Sequence, residues 1–480
     1  MSPPGYPHTF LPFFNPLIYH NYGHLSSPYG ASLTWRELCS IFPRWGGAMN
    51  VLWFVVDTLR SDHLSCYGYF RRTSPNIDRL AEEGVLFEDS YASAIATGPG
   101  FTSLFTGLAA INHGFYLTPW NVPNAPLLDD RIVTLPELIW ARGDYTTAAF
   151  DNLINFRSHM KQFVRGFEFY INVTRSPAWL HHHITAGEVN RRLLPWLESH
   201  ADEPFFCFVH YWDPHTPYNM PQGFRGKFKG DLEVRRAPGG YDYVPGWGPA
   251  DRLPEGGDGL SIDLYDDEVF YVDHCIGEVL EKLEELGIYD ETVVMVTSDH
   301  GEDLGLHGLW GHGTVHETTI RVPLVLRDPM GPKGRKVSGF VQHVDNLPTI
   351  LEYFPLQERP GFDRVRACMP ELPDKFDGAS LLPLAEGKGR AREEIVVESG
   401  EHRAYISPPW KLIWHKDGEL ELFNIIEDPL ELYDRSRDEK AVLEEISEKL
   451  HQWLEGNLKG ERPDPMLATE GTWTCYIGRR

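Results

Sequence analysis

Asp57, Asp299, His300 and a hydroxyl from the stretch ATGPGFTSLFTG at 96–107 could do chemistry together. Asp57 closes the apolar run NVLWFVV, and Asp299-His300 follow the run TVVMVTS. Two carboxylates and an imidazole are ordinary ligands for a divalent cation such as Mn²⁺, Zn²⁺ or Ca²⁺. A lone aspartate after a strand more often caps a helix, but Asp299 and His300 side by side favour metal. The 96–107 stretch offers Thr97, Thr102, Ser103 and Thr106 among glycines and a proline, and reads as a helix start. A hydroxyl there meets free backbone N–H groups at the positive end of a helix dipole, a setting suited to phosphate or sulfate. A neighbouring cation would lower its pKa and make it a nucleophile. A single threonine at such a turn is ordinarily a plain N-cap, and spacing alone does not choose among the four hydroxyls.

Histidines form a second set. HYWDPHTPY supplies His210, Asp213 and His215 after another apolar run, and the glycine-rich segment after His300 supplies His307, His312 and His316. Such residues beyond strand ends either ligate metal or donate to an anionic substrate. The plainer alternative, a histidine satisfied by hydrogen bonds, weighs equally for His210, His307 and His316 and less for His215 and His312.

The elements that must position these groups are legible from periodicity. Asn50 to Val56 is continuously apolar and β-branched, the pattern of a strand buried on both faces of a parallel sheet. TSPNIDRLAEEG then predicts a surface helix with Ser74 as N-cap, Pro75 at the first turn, Ile77, Leu80 and Ala81 inward, and Gly84 as the stop. Helix and strand alternate again through TLPELIWARGDYTTAAF, 186–200 with PFFCFVHYW, and YDDEVFYVDHCIGEVLEKLEELG with TVVMVTSDHGE. This predicts a doubly wound α/β fold with a mostly parallel sheet, whose ligands bind beyond the carboxyl ends of the strands. The domains expected are an extension over 1–48, a catalytic α/β domain over 49–375, and an α+β subdomain over 376–480 with a small antiparallel sheet and a helix from about Lys440 to Leu458. Residues 223–259, rich in Gly, Pro and charge, read as a loop insertion. Met49 also reads as an alternative translation start.

Composition narrows the partners. A net charge of −25 argues against a nucleic-acid surface. No apolar run reaches the roughly 18 residues of a transmembrane helix, so no membrane is expected. The six cysteines are scattered without a CxxC pair, which suggests mostly buried free thiols in a reducing compartment, with the cytoplasm as the default location. Self-association into a homo-oligomer is left open.

NVLWFVVDTLRSDHLSCYG, TSPNIDRLAEEGVLFEDSYA, TGPGFTSLFTG and TVVMVTSDHGEDLGLHGLWGHG followed by RVPLVL occur in an order that resembles the sulfatase-like branch of the alkaline phosphatase superfamily. The resemblance runs from Asn50 to about Leu351, and SPPWKLIWHKDGELELFNIIEDPLE resembles the family's C-terminal subdomain. It singles out Thr97, which with Pro99, Thr106 and Gly107 matches the nucleophile signature, Thr97 standing where sulfatases carry the cysteine that becomes formylglycine. No formylglycine is expected from threonine, whereas relatives that cleave phosphate or phosphonate esters use an unmodified threonine. Asp151-Asn152-Leu153 replaces the usual Gly-Lys-Trp start of the sulfate-contacting segment, and His312 stands in place of a second lysine. Both departures weigh against a sulfatase.

The resemblance implies that Asp57, Thr97, Asp299 and His300 hold one metal ion, with Thr58 where many sulfatases have another aspartate. His215 and His312 would contact the transferred group, with Asp213, His215 and His312 as a candidate second metal site. Arg60 and Thr118 would assist substrate binding; the leaving-group side would be lined by 223–259, the loop GFYLTPWNVPN and the N-terminal extension. The expected function is metal-dependent hydrolysis of a small anionic phosphoester or phosphonate ester through phospho-Thr97, using one or two divalent ions. His215 and His312 would neutralise charge or protonate the leaving group. The alternatives are a sulfate ester hydrolase, a phosphotransferase, and a non-catalytic protein that keeps the metal and anion pocket.

Overall fold

The computed structural model describes residues 49–116, 128–152, 161–173, 184–230, 232–253, 261–355, 376–460, 462–468 and 475–476. The expectations for residues 1–48 and for Thr118 lie outside this set. The central sheet has eight strands: β1 Asn50–Val56, β2 Val85–Tyr91, β3 Thr146–Asp151, β4 Phe169–Asn172, β5 Phe205–Tyr211, β6 Thr292–Ser298, β7 Leu324–Arg327 and β8 Arg335–Gln342. Their order is β8-β2-β7-β6-β1-β5-β3-β4. Only β7 runs antiparallel to its neighbours, so the sheet is mostly parallel as the alternation of elements predicts.

β1 lies at the centre and every residue of it is buried. Leu52, Phe54 and Val56 pack on one face against α3 Ala186–His200 and α4 Ile262–Glu285. Val51, Trp53 and Val55 pack on the other against Phe101, Leu104 and Phe105 of α2 Thr97–Thr106. Both-face burial is why the strand shows no alternation. The predicted first helix is α1 Pro75–Glu83, with Ile77, Leu80 and Ala81 buried.

Register then aligns the chemistry. Val56 pairs with Tyr211 on one side and Ser298 on the other, so Asp57, the 212–215 turn and Asp299 leave the sheet at one edge. A sheet of this topology binds its ligands there.

A four-stranded antiparallel sheet of Ile395–Glu398, His402–Ser407, Trp410–His415 and Leu420–Asn424 follows, covered by α5 Lys440–Leu458. Residues 223–259 differ from expectation. They contain strands Arg235–Arg236, Asp242–Val244 and Gly248–Pro249, which form a small sheet of their own. Strands of two or three residues are too short to show a period. The segment is anchored on the C-terminal subdomain, where Gly239 N–H donates to the Glu427 carbonyl at 2.8 Å and Tyr241 OH to Asp428 at 2.8 Å. Among the described residues no helix is long and apolar enough to cross a membrane.

Candidate active site

Asp57, Asp299 and His300 converge at the β1 and β6 ends, fully buried, with one ligand atom from each within 4.8 Å of the others. The backbone is shaped to bring them there. Thr58 sits at φ 56, the left-handed region that a β-branched residue rarely adopts, and its carbonyl accepts from Tyr265 OH at 2.7 Å. A side chain on Gly100 would lie 3.0 Å from the Asp299 carbonyl, so glycine lets α2 press its first turn against the end of β6.

His300 donates Nδ1–H to the Gly301 carbonyl at 2.9 Å, which leaves the Nε2 lone pair facing the cluster. Asp299 Oδ1 accepts from the His300 and Thr58 N–H groups at 2.9 and 3.3 Å. Both Asp57 oxygens and Asp299 Oδ2 are buried and accept no hydrogen bond from any described residue. Burial, and then repulsion from Asp299, pushes the Asp57 carboxyl up to about 7. Buried carboxylates left in this state are costly, and a divalent cation between them and His300 Nε2 removes the cost. The donor set therefore fits a metal ion.

Thr97 opens α2 and is 3% exposed, with Oγ1 3.4 Å from His300 Nε2. The other hydroxyls of the stretch point elsewhere: Thr102 to the Gly98 carbonyl, Ser103 to His113, and Thr106 to the Thr102 carbonyl. The His312 ring lies 4.3 Å from that of His300 and 5.1 Å from that of His215, centroid to centroid. Burial opposes charge on His312, but Glu302 Oε2, 3.3 Å from Nδ1, outweighs it and raises the pKa. His215 Nδ1 donates to the Thr216 carbonyl.

Other sequence-predicted residues are engaged differently. Asp213 Oδ2 accepts the Ala186 N–H at the start of α3 at 2.7 Å. Among the described residues, Asp213, His215 and His312 do not form a further convergent ligand group. Arg60 is spent on Asp62, at 2.9 and 2.7 Å, and on the Glu302 carbonyl at 3.0 Å. His210 bridges two carboxylates, with Nδ1 2.9 Å from Asp151 and Nε2 3.7 Å from Asp57. The sequence reading did not find the Glu302–His312 and Asp151–His210 pairs; the only signal was a carboxylate two residues after His300, in DHGE, and another at the end of β3.

His307 and His316 lie in a second cluster with Glu431 of the C-terminal subdomain. Their rings stack at 4.1 Å with planes 13° apart, so their in-plane lone pairs do not converge on one ion. Glu431 Oε1 there already meets Lys411 Nζ at 2.6 Å.

A doubly wound sheet with these groups at its carboxyl edge is an alkaline-phosphatase-like architecture. The Sulfatase family model matches residues 49–356, well over half of the chain, and the chain belongs to the sulfatase family. Members of that family generally depend on a divalent metal. The chain is 28% identical over 429 residues to the multifunctional alkaline phosphatase superfamily protein PehA of Trinickia caryophylli, covering 71% of this chain and 77% of the relative. It is 26% identical over 462 residues to the uncharacterized sulfatase YidJ of Escherichia coli, covering 84% and 86%. In fold it is similar to the phosphonate monoester hydrolase of Agrobacterium radiobacter, with a TM-score of 0.67 and 23% identity over 90% of this chain and 100% of that one.

Proposed function

We propose that this sulfatase-family enzyme hydrolyses phosphoester or phosphonate ester bonds, with Thr97 as nucleophile and one divalent ion (Mn²⁺, Zn²⁺ or Ca²⁺) held by Asp57, Asp299 and His300. The observation that carries the reading is the Thr97 hydroxyl, buried at a helix N-terminus 3.4 Å from His300 Nε2, where a sulfatase would need an oxidisable cysteine. The fold is shared both with phosphonate monoester hydrolases and with proteins that bind sulfated substrates, so phosphorus esters lie within what this architecture accommodates. The imidazole of His312, where sulfatases usually carry a lysine, agrees with that reading. A single ion is preferred because Asp213 is already engaged by the Ala186 N–H and, among the described residues, does not converge with His215 and His312.

When bound, the ion supplies Lewis acidity toward the phosphoryl oxygens and lowers the pKa of the adjacent hydroxyl. Thr97 Oγ, its proton released to solvent as the pKa falls, attacks phosphorus in line with the leaving oxygen; the ester P–O bond breaks and phospho-Thr97 forms. His312, with a raised pKa, donates a proton to the departing oxygen or balances its charge, and His215 supports the same face. Water then attacks phosphorus and gives a proton to His312, the bond to Thr97 breaks, and Thr97 Oγ takes a proton from solvent to return as the hydroxyl. The N–H groups at the start of α2 stabilise the transferred group's oxygens in both steps.

The test is a panel of p-nitrophenyl phosphate, a phosphodiester, a phenylphosphonate ester and p-nitrophenyl sulfate, each with Mn²⁺, Zn²⁺ or Ca²⁺. A higher kcat/KM on a phosphorus ester supports the reading. Turnover of the sulfate ester alone would replace it with sulfate ester hydrolysis.

A further inference from the structure

Glu302 is not a member of the Asp57, Asp299 and His300 cluster, yet it is 2% exposed and its carboxylate faces the site. Its main chain is pinned on both sides. The N–H donates to the Thr318 carbonyl at 3.1 Å, and the carbonyl accepts Arg60 Nη1 at 3.0 Å, with Arg60 itself clamped by Asp62. From that fixed base, Oε2 reaches Nδ1 of His312 at 3.3 Å. An imidazole differs here from a lysine. A lysine is a point charge on a flexible stem, whereas an imidazole presents a useful nitrogen only in one ring orientation, set by the partner of its other nitrogen.

We propose that Glu302 is a positioning residue for the ester hydrolysis, its carboxylate holding Nδ1 of His312 so that Nε2 is presented to the transferred group. This rests on the reading of His312 as a contact of that group. Among the described residues the His312 ring, packed near His300 and His215, has Glu302 as the side-chain acceptor for Nδ1. Arg60 thereby acts at one further remove, through the backbone of residue 302 rather than on substrate.

The test is a double-mutant cycle on the metal-replete enzyme with a phosphorus ester from the panel above. Glu302→Gln keeps the side-chain volume, and the Arg60 contact, made to the backbone oxygen, survives it. Glu302→Asp keeps the charge and shortens the reach, so it serves as the second variant; metal content and melting temperature are recorded for both. The expected result is a loss of about tenfold or more in kcat for either variant with KM within about threefold. Adding either change to His312→Ala should cost nothing further, because Glu302 works only through that ring. Full additivity with His312→Ala, or wild-type kcat in both Glu302 variants beside an impaired His312→Ala, overturns the proposal alone. Wild-type kcat in His312→Ala overturns the underlying reading of His312 and the proposal with it.

Discussion

Among the described residues two clusters of histidine and carboxylate stand out, one fully buried and one with half-buried histidines, and they are built on opposite electrostatic plans. In the cluster of Asp57, Asp299 and His300, three carboxylate oxygens accept no hydrogen bond from any described residue. In the cluster of His307, His316 and Glu431, the chain supplies its own cation. Lys411, fully buried, meets Glu431 at 2.6 Å and Glu317 at 3.1 Å, while Tyr91 OH donates to Glu317 at 2.8 Å and Glu431 Oε2 accepts the Glu317 N–H at 2.7 Å. Since Lys411 lies on the four-stranded antiparallel sheet and Glu431 follows it, while Glu317 lies between β6 and β7 of the central sheet, that cluster is an ionic joint. Proximity of ligand atoms does not separate the two clusters. What separates them is how closely a cation already meets the carboxylates, Lys411 at 2.6 Å from Glu431 against His210 Nε2 at 3.7 Å from Asp57, and whether the imidazole lone pairs can converge.

The sharpest way to break the contrast is to remove a carboxylate from the first cluster. Asp299→Asn should lose bound metal by elemental analysis and about a thousandfold in kcat/KM. In metal-free protein at pH 8 the same variant should melt higher than wild type, since it removes the repulsion between the buried carboxylates of Asp57 and Asp299. A lower melting point would show that those carboxylates are satisfied without a cation.

Removing the cation from the second cluster should do the reverse. Lys411→Met leaves Glu431 and Glu317 buried and uncompensated, and should cost about 3 kcal/mol of stability in denaturant unfolding at pH 7. Added divalent metal should not restore it; restoration by Zn²⁺ would make the joint a metal site after all.

A smaller effect, but one of opposite sign in the two clusters, is expected from pH. The Glu431 carboxyl is opposed by burial but held well below the carboxylate range by Lys411 and His316. Its folded pKa lies below its unfolded one, so the joint's contribution is present above the ordinary value of 4.5 and is lost as pH falls below it. Asp57 behaves oppositely. Its folded value of about 7 exceeds 3.8, so in metal-free protein stability falls as pH rises through that window. Binding metal displaces that proton. The gap in melting temperature between metal-replete and chelator-treated protein should therefore widen from pH 5 to pH 8, and a constant gap would contradict this account.

The same contrast explains what could be read from the sequence. Asp57, Asp299 and His300 were legible because each ends an apolar run, and a parallel sheet brings strand ends to one edge. Thr97 was legible only through the ordered resemblance to a family, since its turn offers four hydroxyls of equal standing. Side-chain direction in the loops was not legible. Asp213 turns back to the first N–H of α3, His307 and His316 turn toward a subdomain more than a hundred residues away, and Glu302 turns toward His312, all by tertiary packing that leaves no local period. The short strands within 223–259 escaped for the related reason that their partner contacts, not their alternation, define them.

The central claim is that Thr97 takes up the transferred group. Wild-type enzyme, metal-replete and turning over a phosphorus ester, should be acid-quenched, digested and analysed by mass spectrometry beside Thr97→Ala. The account predicts a phosphoryl or phosphonyl adduct on Thr97 in the peptide spanning 96–107, with adduct and turnover both absent from the variant. An adduct on another residue, or turnover by Thr97→Ala at the wild-type rate, would contradict it.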